Sequence, residues 1–167
     1  MPLTDQDAKG LALALVQART SYAQGGIPIG SALLAPSSSR EASSDAPDPG
    51  FKVLGAGHNQ RMQKSSATLH AEIAALEDAG RLKADVYRGA TLYTTLSPCS
   101  MCTGAALLYG IPRVVIGENV NFVGGEDLLR ARGVEVVVVD DADCKALMAK
   151  FIEEKPEIWY EDIGQTE

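Results

Sequence analysis

Two short segments far apart in the chain can serve one metal ion only if the fold brings them together. That requirement constrains the architecture more than any other feature of the sequence. The first segment is His70-Ala71-Glu72 and the second is Pro98-Cys99-Ser100-Met101-Cys102. Cysteines at i and i+3 face one side of a helix, close enough to share a tetrahedral ion. His70 adds an imidazole, and three protein ligands leave a fourth corner for water, the arrangement of catalytic rather than structural zinc. Residues i and i+2 within a helix point apart, so His70 and Glu72 serve one site only from its first, irregular turn. Pro98 suits a helix start, where a missing N–H costs nothing. A thiolate there is favoured by free N–H groups and the helix dipole. The expected geometry is two helix N-termini converging on one zinc ion, with the Glu72 carboxylate placed to move the protons of its water.

Each half has a competing reading. A C-x-x-C pair also serves as a redox centre or half of a structural zinc site, and His-x-Glu alone carries little information. Cys144 is the candidate fourth ligand that would close the site. It lies in an amphipathic stretch beside Asp143 and Lys145 with no partner at ligand spacing, which reads as a half-buried structural cysteine.

A chain of 167 residues with 46% hydrophobic content suits one globular domain, residues 1–167, with a substantial core. The net charge of −7 opposes attraction to phosphate backbones, and the 15 Lys and Arg residues form no cluster, so no nucleic-acid partner is expected. No apolar stretch approaches the roughly 18 residues of a membrane span, and the polar, acidic start is unlike a signal or transit peptide. Three cysteines, two of them in C-x-x-C, give no disulfide framework. The expected compartment is the reducing cytoplasm, with the nucleus also open.

Thr4 and Asp7 form a capping-box pattern, followed by apolar residues at helical spacing until Gly25-Gly26. Residues 29–34 and 52–56 read as adjacent, antiparallel strands. The Ser-, Pro-, Ala- and Asp-rich stretch 36–50 between them reads as a flexible surface loop. Alternation follows: a helix from His70 to Gly80, a strand at 91–95, a helix from Pro98 to Tyr109 and a strand at 113–117. A short helix at 126–132, the unbroken apolar strand 134–139, a helix at 142–154 and a short segment at 156–164 complete the chain. Strand–helix alternation with a continuous valine run predicts a sheet covered by helices on both faces.

The paired motif H-x-E…P-C-x-x-C is the signature of zinc nucleobase deaminases. From Ala8 to Gly164 the chain resembles the fungal cytosine deaminases, a branch of the cytidine deaminase superfamily. The resemblance is carried by 25–30 (Gly-Gly-Ile-Pro-Ile-Gly), Gly57-His58-Asn59, Gln63-Lys64, 66–70, 92–105, 109–113, 117–122, Arg132-Gly133, 135–141 and Glu161-Asp162-Ile163-Gly164. It departs from the family in a longer 36–50 loop, an altered and shorter stretch around Val123-Gly124-Gly125, Ala71 in place of glycine, and Tyr160 in place of phenylalanine.

The resemblance implies an α/β fold, a three-layer α/β/α sandwich with a five-stranded mixed sheet, assembled as a homodimer with one catalytic Zn2+ per subunit. It implies hydrolysis of free cytosine to uracil and ammonia in pyrimidine salvage, by zinc-activated water with Glu72 as proton shuttle. Asn59 matches an amide bonding the ring edge, Ala71 a backbone N–H meeting the base carbonyl, and Ser97 a backbone carbonyl near the water or exocyclic amine. Asp162 matches a carboxylate accepting from that amine, and Ile29, Leu96, Phe122 and Trp159 match an apolar wall around the ring. Leu107, Leu108 and Tyr109, continuing the helix past the metal ligands, are candidates for the dimer face. Two rivals stand beside this reading: a purine or tRNA adenosine deaminase with the same zinc motif, and a non-catalytic zinc-stabilised dimerisation module. The latter has no use for Glu72 and favours a closed four-ligand site.

Overall fold

The computed structural model describes residues 3–37 and 50–166, so most of the expected 36–50 loop lies outside the described residues. In chain order the elements are α1 (Asp5–Ala23), β1 (Gly30–Pro36), β2 (Phe51–His58), α2 (Arg61–Lys64), α3 (Ala71–Ala79), α4 (Ala84–Arg88) and β3 (Thr91–Leu96). There follow α5 (Ser100–Tyr109), β4 (Arg113–Glu118), α6 (Glu126–Ala131), β5 (Glu135–Val138), α7 (Ala142–Glu154) and α8 (Pro156–Asp162).

The sheet order is β2-β1-β3-β4-β5. β1 pairs antiparallel with both β2 and β3, whereas β3, β4 and β5 run parallel. Parallel neighbours need long crossovers, and α5 and α6 supply them. Successive strand residues alternate between faces. Leu33, Leu92, Val114 and Ile116 pack with Tyr87, Ala106 and Leu129 on one side. Ala32, Leu34, Tyr93 and Val115 pack with Ala14 of α1 on the other. The expected three-layer mixed-sheet sandwich is therefore the observed fold. A third cluster, including Ile27, Ile29, Leu96, Met148, Phe151 and Trp159, closes the end of the sheet where the site lies. Close approach of α1 to β1 requires Gly30, because a Cβ there would lie 1.9 Å from the Ala14 carbonyl oxygen.

Several boundaries differ from expectation for identifiable reasons. The helix predicted to start at Pro98 begins at Ser100, with Cys99 as its N-cap. The Pro98 carbonyl is engaged instead by the Gly125 N–H at 2.8 Å. The valine strand is an edge strand, exposed at Glu135 and half-buried beyond it, because among the described residues no further strand covers β5. The short helices α2 and α4 were not predicted, each being too short for a periodic signal, and the final segment is the helix α8. Cys144 is buried rather than half-buried and packs against Gly117 of β4, where an added Cβ would lie 2.7 Å from its Sγ. Burial pushes its thiol up, the behaviour of an inert structural cysteine.

The capping box at α1 forms as expected, and its Asp7 does more than cap. Both carboxylate oxygens meet the Arg113 guanidinium, Oδ2 at 3.1 Å from Nη2, and the Tyr93 hydroxyl donates to Oδ1 at 3.0 Å. Burial alone would raise the Asp7 pKa, but the bonds from Arg113, Thr4 and Tyr93 outweigh it and hold the carboxyl at about 2. A depressed carboxylate stabilises the fold above its unfolded value near 3.9, and that contribution disappears as pH falls through the folded value. Asp7→Ala is expected to cost about 3 kcal/mol in urea unfolding at neutral pH, since it strips both Asp7 bonds from the partly buried Arg113 guanidinium and leaves it only the half-exposed Glu135 carboxylate at 3.2 Å. The mutant and parent stabilities should converge between about pH 4 and 2. An unchanged urea midpoint at pH 7 would remove Asp7 from the account.

Candidate active site

His70 is the N-cap of α3, with Ala71 and Glu72 its first two helical residues, and Cys99 is the N-cap of α5, with Cys102 in its first turn. The two helix starts sit at the ends of β2 and β3 and face each other. Non-helical backbone at a cap lets His70 and Glu72 turn toward one point although they are two residues apart. The ligand atoms of His70, Cys99 and Cys102 lie within 4.8 Å of one another, a spacing that suits one tetrahedral ion. His70 Nδ1 is 3.5 Å from Cys99 Sγ.

The donor chemistry fits a dication. The hydrogen bond with Cys102 pulls the Cys99 thiol down to about 4 against the opposing effect of burial, with His70 adding to it. The same bond and burial push Cys102 up. Two sulfurs this close do not both ionise readily, so one of them favours keeping its proton. A divalent ion removes the cost of adjacent thiolates and displaces that proton. Burial alone would lower the His70 pKa, but Cys99 and the Asp162 carboxylate raise it. His70 Nε2 lies 3.4 Å from Asp162 Oδ1, so a carboxylate orients the ligand ring from behind. Metal analysis of the purified chain is expected to give one zinc per chain, and replacing Cys102 by Ala to lose it. Full zinc content in that variant, or none in the parent, contradicts the assignment.

Glu72 is 4% exposed. Burial raises its pKa, and the Thr94 hydroxyl donates to its Oε1 at 3.2 Å. A carboxyl raised in this way suits proton exchange near neutral pH. The pocket above it is lined by Ile29, His70, Glu72, Leu96, Ser97, Cys99, Phe122, Trp159, Asp162 and Ile163. Phe122 and Trp159 meet edge to face across it, with ring centroids 5.9 Å apart.

Nine of the twelve site residues read from the sequence line this pocket. Cys102 lies beneath it in the metal group. Ala71 is fully buried, and as the first residue of α3 its N–H has no partner within the helix. Asn59 is also fully buried, behind Asp162: its Nδ2 donates to Asp162 Oδ1 at 2.9 Å and its Oδ1 accepts from the Arg61 N–H at 3.0 Å. The sequence reading missed Thr94, Arg61 and Ile163. Arg61 Nη1 is 3.4 Å from Asp162 Oδ1 across 101 residues of chain, a pairing with no local signal. Thr94 was legible only as an inward position of β3.

Comparison with known proteins agrees with this geometry. Residues 48–118 match the model of the cytidine and deoxycytidylate deaminase zinc-binding region. The chain is 58% identical over 163 residues to the cytosine deaminase of Candida albicans, covering 98% of this chain and 100% of that one. It is 34% identical to the tRNA-specific adenosine deaminase of Buchnera aphidicola over 70% of this chain and 68% of the relative. The solved guanine deaminase from Nitrosomonas europaea superposes with a TM-score of 0.63 at 26% identity, over 90% of this chain and 86% of that one. A His-Cys-Cys group at two facing helix starts, a buried glutamate beside it and a full-length match of this strength leave one conclusion, that the chain belongs to the zinc-dependent cytidine deaminase family, in its cytosine deaminase branch.

Proposed function

We propose that the chain hydrolyses free cytosine to uracil and ammonia. The observation that carries this is a small pocket, closed over by Phe122 and Trp159, with the buried Glu72 at the metal-ligand cluster; the full-length similarity to a cytosine deaminase supports the choice of base. Zinc would be held by His70, Cys99 and Cys102 and would supply Lewis-acid chemistry that makes water a nucleophile near neutral pH. Glu72 takes the proton that an attacking water gives up as oxygen adds to ring C4 and delivers it to N3. It then carries a second proton from that oxygen to the exocyclic amine as the C4–N bond breaks and ammonia leaves. The Thr94 hydroxyl keeps the carboxylate aimed through these transfers.

Substrate positioning follows from the same cluster. Asn59, Arg61 and His70 all engage Oδ1 of Asp162, which leaves Oδ2 to accept from the exocyclic amine that departs. Asn59 Oδ1 has a second lone pair for a ring N–H, and Ala71 N–H meets the base carbonyl. The Ser97 carbonyl lies toward the leaving amine, and Ile29, Leu96, Phe122 and Trp159 exclude water around the ring. The net charge of −7 and the covered pocket favour a free base over a nucleic acid. Among the described residues no helix is long and apolar enough to cross a membrane.

The active form in this reading is a homodimer in the cytoplasm. Leu108 is 77% exposed and Tyr109 stacks on Tyr87 beside an apolar groove between α3 and α5, a face suited to a second copy. Leu107 packs partly against the core instead. Light scattering at micromolar concentration is expected to give twice the chain mass, and Leu108→Glu to shift it toward the monomer. A monomeric parent removes this part. The function itself is tested by ammonia release from cytosine, and absence of release from the zinc-loaded chain overturns it.

A further inference from the structure

The segment that carries Ser97 and Cys99 is bound on its outer side to the loop that carries Phe122. The Ser97 hydroxyl donates to Glu126 Oε1 at 2.8 Å and accepts from the Gly124 N–H at 2.9 Å. Asn119 Nδ2 donates to the same Glu126 oxygen at 3.1 Å, and the Gly125 N–H donates to the Pro98 carbonyl at 2.8 Å. The Ser97 N–H in turn donates to the Glu118 carbonyl at 3.0 Å. Contact is too close for side chains: a Cβ at Gly124 would lie 1.9 Å from the Pro98 oxygen, and one at Gly125 2.2 Å from Thr103 Oγ1. Glu126 is 3% exposed, yet it touches neither the metal ligands nor the pocket. Burying a carboxylate is costly unless several donors meet it, and here they come from both sides of the seam.

We propose that Glu126 is a positioning residue of the active site. Through the Ser97 hydroxyl it fixes the short segment 97–99, and hence the Ser97 carbonyl and the Cys99 sulfur. Through Asn119 it holds the Phe122 loop against that same segment, where the Gly124 N–H also donates to the Ser97 hydroxyl. Floor and cover of the pocket are thereby one unit, and slack at Glu126 reaches both the metal and the substrate. The proposal rests on the reading of 97–99 as part of a zinc deaminase site.

The test compares Glu126→Ala, Glu126→Gln, Ser97→Ala and the Ser97→Ala/Glu126→Ala double variant, each zinc-loaded. Two quantities are read: the rate at which EDTA strips zinc, and kcat and KM for cytosine. Glu126→Ala and Ser97→Ala are each expected to lower kcat by about 10- to 100-fold and to speed zinc release about tenfold, as loss of support behind a ligand does. Glu126→Gln keeps an acceptor for Ser97 and Asn119 and should recover most of both. The double variant should lose little more than either single one, because both remove the same bond. Parent-like zinc release and kcat in Glu126→Ala, or additive losses in the double variant, overturn the proposal. If Glu126→Ala does not fold, Ser97→Ala decides by the same two readouts. Failure of the parent to turn over cytosine would instead fault the function, while the zinc-release rates would still decide the role of Glu126.

Discussion

Glu72→Gln is expected to keep the fold and bind one zinc, and to lose kcat by about a hundredfold or more, the usual worth of a positioned proton carrier. Glutamine preserves size and the acceptor for the Thr94 hydroxyl, so pocket shape and metal site are unaltered. What disappears is the ability to take a proton from water and return it to N3 and the amine. Because substrate contacts are untouched, KM should change far less than kcat. Near-parent turnover in a zinc-replete Glu72→Gln protein would remove Glu72 from the mechanism.

The largest effect expected is discrimination by sugar. Trp159 and Asp162 belong to α8, which caps the pocket near the C-terminal end of the described residues, and both are buried. An indole over the ring excludes water and also fills the space a ribose would need. N1 substitution also removes the ring N–H proposed to meet the Asn59 amide. A site built around a buried polar edge discriminates by about 10⁴-fold when that pairing is lost. Cytidine should therefore be turned over with kcat/KM about four orders of magnitude below that of cytosine. Truncation before Trp159 should abolish activity while His70, Cys99 and Cys102 still hold zinc, since none of them lies on α8. Efficient turnover of cytidine would contradict the proposed role of α8.

The zinc ligands were legible because their requirement is local. An N-cap histidine, an N-cap cysteine and a first-turn cysteine are short-range patterns, and only their convergence needed the fold. The sheet was legible from alternation and from the crossovers that parallel strands demand. The edge position of β5 was not, because a valine run reads the same at the edge and in the middle of a sheet. The groups that orient the site were the hardest to read. Arg61 reaches Asp162 across 101 residues, and Glu126 reaches Ser97 across 29. Each looks like a solvated charge until tertiary structure removes its water. Asn59 illustrates the same limit: its position was found by resemblance, but its partnership with Asp162 is visible only in three dimensions.

The central claim, a zinc-dependent deaminase acting on the free pyrimidine base, meets its most direct test in ammonia release by the zinc-loaded chain. The panel is cytosine, cytidine, deoxycytidine, adenine and guanine, each measured before and after removal of the metal. Release is expected from cytosine alone, lost on removal of zinc and restored by adding it back. Release from adenine or guanine in preference to cytosine, or activity indifferent to the metal, would contradict it.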